Sequence, residues 1–436
     1  MASKANSIKL FSFSTPQMRA FHLSWMAFFV CFLAWFACAP LMPVIKAEFG
    51  LSAAQVANIN IAAVAITILV RLLVGPMSDH FGPRKTHTAL LVLGAIPVFG
   101  VAFAHSYESF LFFRLGIGAV GASFVITQYH TSVMFAPKVV GTANAAAAGW
   151  GNSGGGVAQA LMPLLMSAMI ALGVSSAMGW RAALLVPGVL MLIVAVLYWR
   201  CTQDCPEGNY SDMRKAGIVV DGGKKGGWDS FKAAAANHRV WLLFVTYGAC
   251  FGIEIFIHNI AATYYVEHFG FSLGAAGMAA GSFGLLALFA RALGGWLSDR
   301  AALRGSLNSR VALLFALMIG EGCGLLWFAH ADGAMYAVIA MLCFGLCTHM
   351  ACGATYALVP FIDRRALGGV AGIIGAGGNA GAVAAGFLLK GLGNSNTQQT
   401  LTVLGVLVGV SALCALGARF SNGAMAAAVP AQNLAA

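Results

Sequence analysis

The stretch Arg71–Lys85, RLLVGPMSDHFGPRK, places an arginine deep in an apolar segment and ends that segment in a charged turn. The pattern occurs twice, because the chain reads RALGGWLSDR from Arg291 onward. In both copies a glycine follows the arginine by four residues, a serine by seven and an aspartate by eight. The motifs FGLS and FGFS precede the two arginines at the same distance, so both features repeat with an offset of 220 residues. The sequence therefore predicts two related halves, each with one buried arginine at an equivalent place.

The composition is that of a membrane protein. Of the 436 residues 60% are hydrophobic and 9% are charged, and the mean hydropathy is +0.83. A soluble domain rarely has such a composition, so we expect an all-α membrane protein with twelve transmembrane helices in two pseudo-symmetric six-helix bundles. The predicted spans are 20–45, 53–77, 86–104, 108–134, 140–170, 180–200, 240–266, 273–297, 310–329, 334–358, 367–390 and 401–419.

The net charge of +11 would suggest a nucleic-acid partner in a soluble protein, but here the basic residues sort by membrane side. Nearly all of them fall at one set of alternating span ends, and only Lys46, Arg181 and Lys390 fall at the other. By the positive-inside rule both termini are cytoplasmic. We therefore expect a multi-pass protein of the inner or plasma membrane, with the lipid bilayer and no nucleic acid as its partner. No cleaved signal peptide is expected, because the N-terminal residues are polar.

The chain divides into four predicted regions. They are an N-terminal six-helix bundle (1–200), a central cytoplasmic linker (201–239), a C-terminal six-helix bundle (240–420) and a cytoplasmic tail (421–436). The ten cysteines lie mostly in apolar segments, which favours packing over disulfides. Without a second cysteine pair or a clustered histidine set, we expect neither a metal site nor a cofactor.

The two repeated arginines, Arg71 and Arg291, define the chemistry that we expect. An arginine at a helix centre costs roughly 2.5–3.5 kcal/mol, so each should face a water-lined cavity and be compensated. Glu254 would cancel one charge, leaving two guanidinium groups that can each donate paired hydrogen bonds to a small planar oxyanion. The alternative is that each arginine binds helix carbonyls or a permanent carboxylate.

Other polar residues lie inside predicted spans and are candidates for function by default. Tyr247, Glu254 and His258 lie in the seventh span, and Arg114 lies in the fourth, where it either snorkels to the interface or has a coupling role. The fifth and eleventh spans are rich in glycine, and their asparagines Asn152 and Asn379 match at an offset of 227. Small residues permit close helix contact. The glycines concerned are Gly149, Gly151, Gly154, Gly375, Gly377, Gly378 and Gly381.

The loop after the first arginine resembles the signature loop of the major facilitator superfamily, G-x-x-x-D-x-x-G-x-R-K. The residues that match are Gly75, Asp79, Gly82, Arg84 and Lys85. The second copy keeps Gly295 and Asp299 and then departs from the pattern. The resemblance implies a cytoplasmic gate at which the aspartate pairs with basic side chains or faces a helix N-terminus.

Four further segments are distinctive, AAAAGWGNSGGGVAQ, TYGACFGIEI, ARALGG and GAGGNAG. They resemble the nitrate/nitrite porter family of that superfamily, nearest to plant-type high-affinity and bacterial assimilatory nitrate transporters. The resemblance implies that Arg71 and Arg291 clamp the substrate, that Asn152 and Asn379 shape its site, and that Arg114 takes part in proton coupling. One departure concerns a tyrosine that some relatives carry one turn before Tyr247. Here that position is Leu243, so Tyr247 either replaces the contact or the contact is missing.

These features predict a secondary transporter that imports nitrate by alternating access as a proton symporter, functional as a monomer. Glu254 is the candidate proton site, with His258 and Arg114 as secondary candidates, because nitrate between the arginines would shield their charge from the carboxylate. Nitrate/nitrite antiport, nitrite transport and carriage of another small anion are the alternatives. An enzyme is not expected, since no clustered catalytic set or catalytic motif is present.

Overall fold

The computed structural model describes residues 4–217, 227–363, 367–392 and 396–420. The predicted tail, 421–436, lies outside the described residues. Within them the regular secondary structure is helical, apart from isolated bridges that join Ala5 to Phe135 and Cys205 to Gly208. The α-helices are α1 Pro16–Phe36, α2 Met42–Phe49, α3 Ala53–Phe81, α4 Pro83–Val101, α5 Tyr107–Gly118, α6 Ser123–Met134, α7 Pro137–Ala171, α8 Ser176–Cys201, α9 Tyr210–Lys215, α10 Gly227–Ala235, α11 His238–Phe269, α12 Leu273–Leu285, α13 Ala287–Arg304, α14 Leu307–Ala329, α15 Ala334–Leu358, α16 Leu367–Gly391 and α17 Thr397–Gly417.

Eleven helical segments of the described chain are long and apolar enough to cross a membrane. Each has at least the roughly 20 residues that the hydrocarbon layer requires. Helix α4 takes the place of the predicted third span and begins with the basic residues Arg84 and Lys85. Large apolar side chains such as Leu93 and Phe387 face outward, which is the pattern expected where lipid replaces water. The all-α membrane fold predicted from the sequence is confirmed.

Local sequence signals explain where several helices begin and break. The Ser52 hydroxyl caps α3 by accepting from the Gln55 N–H, and Oε1 of Gln55 accepts from the Ser52 N–H, which completes a capping box. A 3₁₀ turn that contains Pro40, Ala39–Leu41, separates α1 from α2. The predicted fourth span is likewise divided by a 3₁₀ turn, Ala119–Ala122, between α5 and α6. These turns free backbone carbonyls from the α-helical ladder, so the carbonyls can accept bonds from side chains.

The linker predicted between 201 and 239 is partly helical. Helix α9 lies within it, and α11 already begins at His238. The residues Gly208 and Gly217 adopt positive φ and turn the chain on either side of α9. The linker residues 218–226 lie outside the described residues.

The chain forms two compact units. The first comprises Met1–Lys224, Ile255–Leu288 and Gly386–Thr397, and the second comprises Lys225–Glu254, Phe289–Ala385 and Gln398–Ala436. In the first unit α7 packs against both α1 and α12, while in the second α14 packs against α15. The two six-helix bundles inferred from the sequence stay a prediction.

Candidate functional site

In the second unit Arg291 meets a carboxylate inside the protein. Its Nη2 donates to Glu254 Oε2 at 2.6 Å, and the two side chains are only 10% and 2% exposed. The side chains come from α13 and α11, and the two residues are separated by 37 positions in the sequence. The sequence analysis named both residues and proposed that Glu254 cancels one arginine charge. A pair this well buried is held together because either charge alone would be costly.

His349 joins the same pair, and the sequence analysis missed it. Its Nδ1 lies 3.3 Å from Glu254 Oε2, and the ring is fully buried. The Sγ of Cys352, one turn further along α15, lies 3.8 Å from the same carboxylate oxygen. A histidine within an apolar span was the available signal, since ionisable groups there are functional candidates by default.

Aromatic rings also lie close to the guanidinium group of Arg291. The guanidinium carbon lies 5.3 Å from the centre of the Phe251 ring, within cation–π range. Tyr247 stacks on Phe251 with ring centroids 5.1 Å apart and also meets Tyr356 edge to face. A Cβ at Gly378 would overlap the Phe251 ring. This signature glycine therefore makes room for the ring beneath the arginine, and Tyr247 belongs to the same cluster.

Asn379 follows Gly378 on α16 and is fully buried. Neither its Oδ1 nor its Nδ2 has a hydrogen-bond partner among the described residues. An unsatisfied buried amide costs roughly 1–3 kcal/mol, so such a group calls for a ligand or ordered water. The equivalent residue, Asn152 on α7, is also buried.

In the first unit Arg71 of α3 is half-buried. Its Nη2 donates to the carbonyl of Gly121 at 3.3 Å, and its guanidinium carbon lies 5.7 Å from the centre of the Phe124 ring. Gly121 belongs to the 3₁₀ turn that interrupts the fourth span, which explains why its carbonyl is available. One arginine thus binds a helix carbonyl and the other a carboxylate, the contacts that the alternative interpretation of the two arginines anticipated.

The ring beneath Arg71 is supported by the same device as the ring beneath Arg291. Phe124 packs on Phe28 with centroids 5.6 Å apart, and a Cβ at Gly151 would overlap the Phe28 ring. In each unit, a signature glycine on the glycine-rich helix therefore makes room for a phenylalanine ring. Phe251 lies directly beneath Arg291, whereas Phe28 packs on Phe124, which lies beneath Arg71. The offset of 227 residues between Gly151 and Gly378 is that of the two asparagines.

The remaining signature glycines allow close approach of backbones. A Cβ at Gly154 would meet the carbonyl of Phe29 in α1, and a Cβ at Gly381 would meet that of Gly248 in α11. The glycine-rich helices therefore pack on the first helix of each half in an equivalent way. For the other three, a Cβ at Gly377 would meet the carbonyl of Phe244, one at Gly149 would lie 2.9 Å from that of Ala287, and one at Gly375 would lie 3.0 Å from the hydroxyl of Tyr356.

Arg114 does not snorkel to an interface. It is fully buried, and it donates from Nη1 to the carbonyl of Trp35 at 2.7 Å and from Nη2 to Asn259 Oδ1 at 3.3 Å. His258 is buried in the same unit, with its ring 4.8 Å from that of Phe36. The carbonyl of His258 accepts a hydrogen bond from Gln159 Nε2 at 2.6 Å. The coupling roles expected of Arg114 and His258 stay predictions.

The signature loop turns at Gly82, whose φ of 89° is unfavourable for other residues. The buried carboxylate of Asp204 sits over this turn, accepting from the Arg84 N–H at 2.9 Å and from the Tyr210 N–H at 3.0 Å. The Arg84 guanidinium carbon lies 4.4 Å from the centre of the Trp199 ring. Asp204, in the linker, therefore caps the start of α4, a contact that the sequence analysis missed.

Two other residues of the signature loop are partly exposed. Gly75 has open space around it, and Lys85 is half-buried. The Asp79 side chain lies outside the described part of the structure, so the partner expected for it stays a prediction. In the second copy, Asp299 is 65% exposed and pairs with Arg310 at 2.6 Å.

All ten cysteines are free, and most are wholly or partly buried. In the described parts of the chain no group of three or more histidine, cysteine or acidic side chains could hold a metal ion.

The chain is similar in sequence to transporters of known families. The profile of the Major Facilitator Superfamily matches residues 24–386. The chain is 38% identical over 414 residues to "High affinity nitrate transporter 2.5" of Arabidopsis thaliana, covering 93% of this chain and 80% of that protein. It is 37% identical over 381 residues to "Nitrate transporter 2.1" of Chlamydomonas reinhardtii, covering 87% of this chain and 69% of that protein. It is 30% identical over 444 residues to "Nitrate/nitrite transporter NrtP" of Nostoc punctiforme, covering 86% and 87% respectively.

Among solved structures, a bacterial homologue of the human lysosomal transporter Spinster, in an inward-facing and unoccupied conformation, matches with a TM-score of 0.71. The match covers 94% of this chain and 99% of that one at 15% identity, which establishes the fold. The repeated arginines, the glycine-rich helices and the sequence matches all indicate the same family. This chain belongs to the nitrate/nitrite porter family of the major facilitator superfamily.

Proposed function

We propose that this protein imports nitrate by alternating access and couples the import to the inward movement of protons. The relatives named above are nitrate or nitrate/nitrite transporters, which supports nitrate as the substrate. Arg71 and Arg291 are the substrate clamp in this proposal. Their planar guanidinium groups donate two hydrogen bonds side by side and so suit a planar oxyanion.

The cluster of Arg291, Glu254 and His349 is the observation that carries the proposal. Glu254 holds Arg291 at 2.6 Å, so an anion that binds this arginine competes with a carboxylate. A proton on Glu254 removes that competition and releases Arg291 to the anion. Nitrate and a proton therefore favour one another's binding, which is the thermodynamic requirement for symport.

His349 extends the proton site. Its buried ring lies 3.3 Å from Glu254, within reach for proton exchange with the carboxylate. The amide of Asn379 and the hydroxyl of Tyr247 would supply further donors to the anion, and Asn152 would do so beside Arg71. In this proposal Tyr247 takes over the contact that Leu243 cannot make.

Import needs a driving force, because a negative-inside membrane opposes a monovalent anion by about 2.3 kcal/mol per 100 mV. Two or more protons per nitrate make the inward step electrically favourable. The protein acts as a monomer in the inner or plasma membrane with both termini in the cytoplasm. Nitrite remains the second candidate substrate, because the NrtP relative is named for both anions.

The test is uptake by proteoliposomes that contain the purified protein. Nitrate, nitrite, chloride and formate are compared with and without an imposed inward proton gradient. We expect nitrate to accumulate only when the gradient is present, with chloride and formate excluded. Uptake that requires nitrite on the opposite side, whatever the pH gradient, would favour antiport. A preference for chloride or formate would contradict the proposed substrate.

A further inference from the structure

A cavity of about 110 Å³ lies in the first unit, and neither arginine of the clamp lines it. Roughly 10–15 Å³ suffices for one water molecule, so this cavity has room for a small ion with part of its hydration shell. Its walls come from α2, α3, α11, the end of α16 and the start of α17. Its polar lining residues include Lys46, Asn60, Asn259, Thr263, Tyr264 and Glu267.

Two polar groups of the lining are buried without a partner. The amide nitrogen of Asn60, a residue only 5% exposed, has no hydrogen-bond partner among the described residues. The same holds for the hydroxyl of Thr263. Buried donors of this kind are normally satisfied by water or a ligand. Their presence on the wall of a cavity indicates that the cavity is occupied when the protein works.

The charges around the cavity favour an anion. Lys46 Nζ bonds to Glu267 Oε1 at 2.5 Å, so these two charges cancel. Behind the wall, the buried Arg114 donates to Asn259 Oδ1 at 3.3 Å. No carboxylate of the described chain lies within ion-pair distance of Arg114. One positive charge therefore remains uncompensated next to the cavity, and a buried charge of this kind calls for a counter-charge.

We propose that this cavity is a second anion site, for a small monovalent oxyanion such as nitrate, and that the anion takes Lys46 from Glu267 when it binds. The lining residues come from the ends of spans that the charge bias places on the extracytoplasmic side. The site therefore receives the incoming anion before the arginine clamp does. Its assignment to nitrate rests on the proposed function, whereas its preference for anions rests on the cavity itself.

Opposite effects of two substitutions separate an anion site from a structural latch. Lys46→Gln removes a ligand of the anion and should weaken binding, whereas Glu267→Gln removes the competitor of the anion and should strengthen it. If the ion pair only holds the helices together, the two substitutions break the same bond and act in the same direction. The matched control is Glu48→Gln, which removes a negative charge from the same helix, α2. Glu48 pairs with Arg181 at 2.6 Å and does not line the cavity.

Binding is measured without transport, on purified protein in detergent. Val56→Cys places a thiol on the cavity wall without removing a polar group, in a background whose exposed cysteines, Cys201, Cys323 and Cys343, are replaced by serine. The rate of modification by a methanethiosulfonate reagent is followed against potassium nitrate, with gluconate keeping the ionic strength constant. The nitrate concentration that gives half protection reports occupancy of the cavity.

We expect Lys46→Gln to raise this concentration by about tenfold and Glu267→Gln to lower it by about threefold. Glu48→Gln should leave it unchanged. If Lys46→Gln does not fold, Asn60→Leu takes its place and should also weaken protection. Asn58→Leu is its control, since the Asn58 amide binds the Tyr107 hydroxyl at 3.0 Å and does not line the cavity.

Three results would overturn the inference. They are the absence of protection by nitrate, shifts of equal sign for Lys46→Gln and Glu267→Gln, and an effect of Glu48→Gln as large as that of Glu267→Gln. The outcome for the proposed function is separate. Opposite shifts in a protein whose proteoliposomes take up no nitrate would uphold the anion site and remove the transport proposal. Nitrate uptake by proteoliposomes, without protection of the thiol by nitrate, would uphold the transport proposal and remove the anion site.

Discussion

The Oε2 of Glu254 accepts a hydrogen bond from Nη2 of Arg291 at 2.6 Å, so one of the two repeated arginines holds a carboxylate of the protein itself. In the proposed mechanism a substrate anion and Glu254 compete for the same guanidinium group. Removal of the negative charge from Glu254 should therefore change anion binding as well as proton coupling.

The variant Glu254→Gln should bind nitrate more tightly at neutral pH, by about tenfold, because the competing charge is gone. It should also lose accumulation driven by a proton gradient, since glutamine takes up no proton. The measurement is nitrate uptake by proteoliposomes with and without the gradient, together with the KM. Glu48→Gln, at the ion pair with Arg181, whose carboxylate is partly exposed, is the control. Accumulation with an unchanged pH dependence in Glu254→Gln would show that the proton site lies elsewhere.

Arg71→Lys and Arg291→Lys should each abolish transport while the protein still reaches the membrane. An ammonium group keeps the charge, but it cannot donate two parallel hydrogen bonds in one plane. The loss of one charge-assisted hydrogen bond corresponds to a roughly tenfold to hundredfold weaker affinity for nitrate. Arg310→Lys is the control, because that arginine pairs with the exposed Asp299. Near-normal nitrate affinity in both lysine variants would refute the clamp.

Gly378→Ala and Gly151→Ala should reduce turnover more than nitrate affinity, because the new methyl group displaces the ring of Phe251 or Phe28. Helices α16 and α7 would then move less freely against their neighbours. Gly372→Ala lies on the same helix as Gly378 with nothing nearby, so it should be neutral or stabilise the protein by about 0.5–1 kcal/mol. Turnover and KM are measured by nitrate uptake, and the stability of each variant is measured separately by thermal unfolding in detergent. Loss of folded protein in Gly378→Ala or Gly151→Ala would favour a purely structural role.

The net stabilisation that Asp204 gives to the folded segment at the start of α4 should fall as the pH rises. Burial raises the pKa of Asp204, and the hydrogen bonds from the N–H groups of Tyr210 and Arg84 oppose that rise only in part. Because the pKa of Asp204 in the folded state lies above the ordinary value of 3.8, the stabilisation is complete below pH 3.8. It is then lost as the pH rises through the folded pKa.

Hydrogen exchange of segment 202–217, corrected for its intrinsic pH dependence, tests this prediction. Protection should be higher near pH 4 than near pH 7 in the wild type. Asp204→Asn keeps an acceptor but does not titrate, so its protection should be independent of pH. A wild-type segment that is equally protected at both values would contradict the direction assigned to this carboxyl group.

The sequence alone determined the features that depend on composition and on spacing along the chain. Span length and apolar content predicted the helical membrane fold, because a bilayer leaves few ways to satisfy the backbone. The repeat at an offset of 220 identified Arg71 and Arg291, and the second repeat identified the glycine-rich helices. The turn at Gly82, at the end of the segment that carries Arg71, followed from the chemistry of a single residue.

Only the tertiary structure decided which side chains meet across helices. The carboxylate of Asp204 reaches the backbone of Arg84 across 120 residues, and no periodicity in the sequence carries that information. His349 joins Glu254 because α15 and α11 both contribute to the second unit. Arg114 likewise ends on Trp35 and Asn259 rather than at an interface. Hydropathy reports how much of a helix is buried, whereas the partner of a buried charge is selected by the packing of separate helices, which no local pattern encodes.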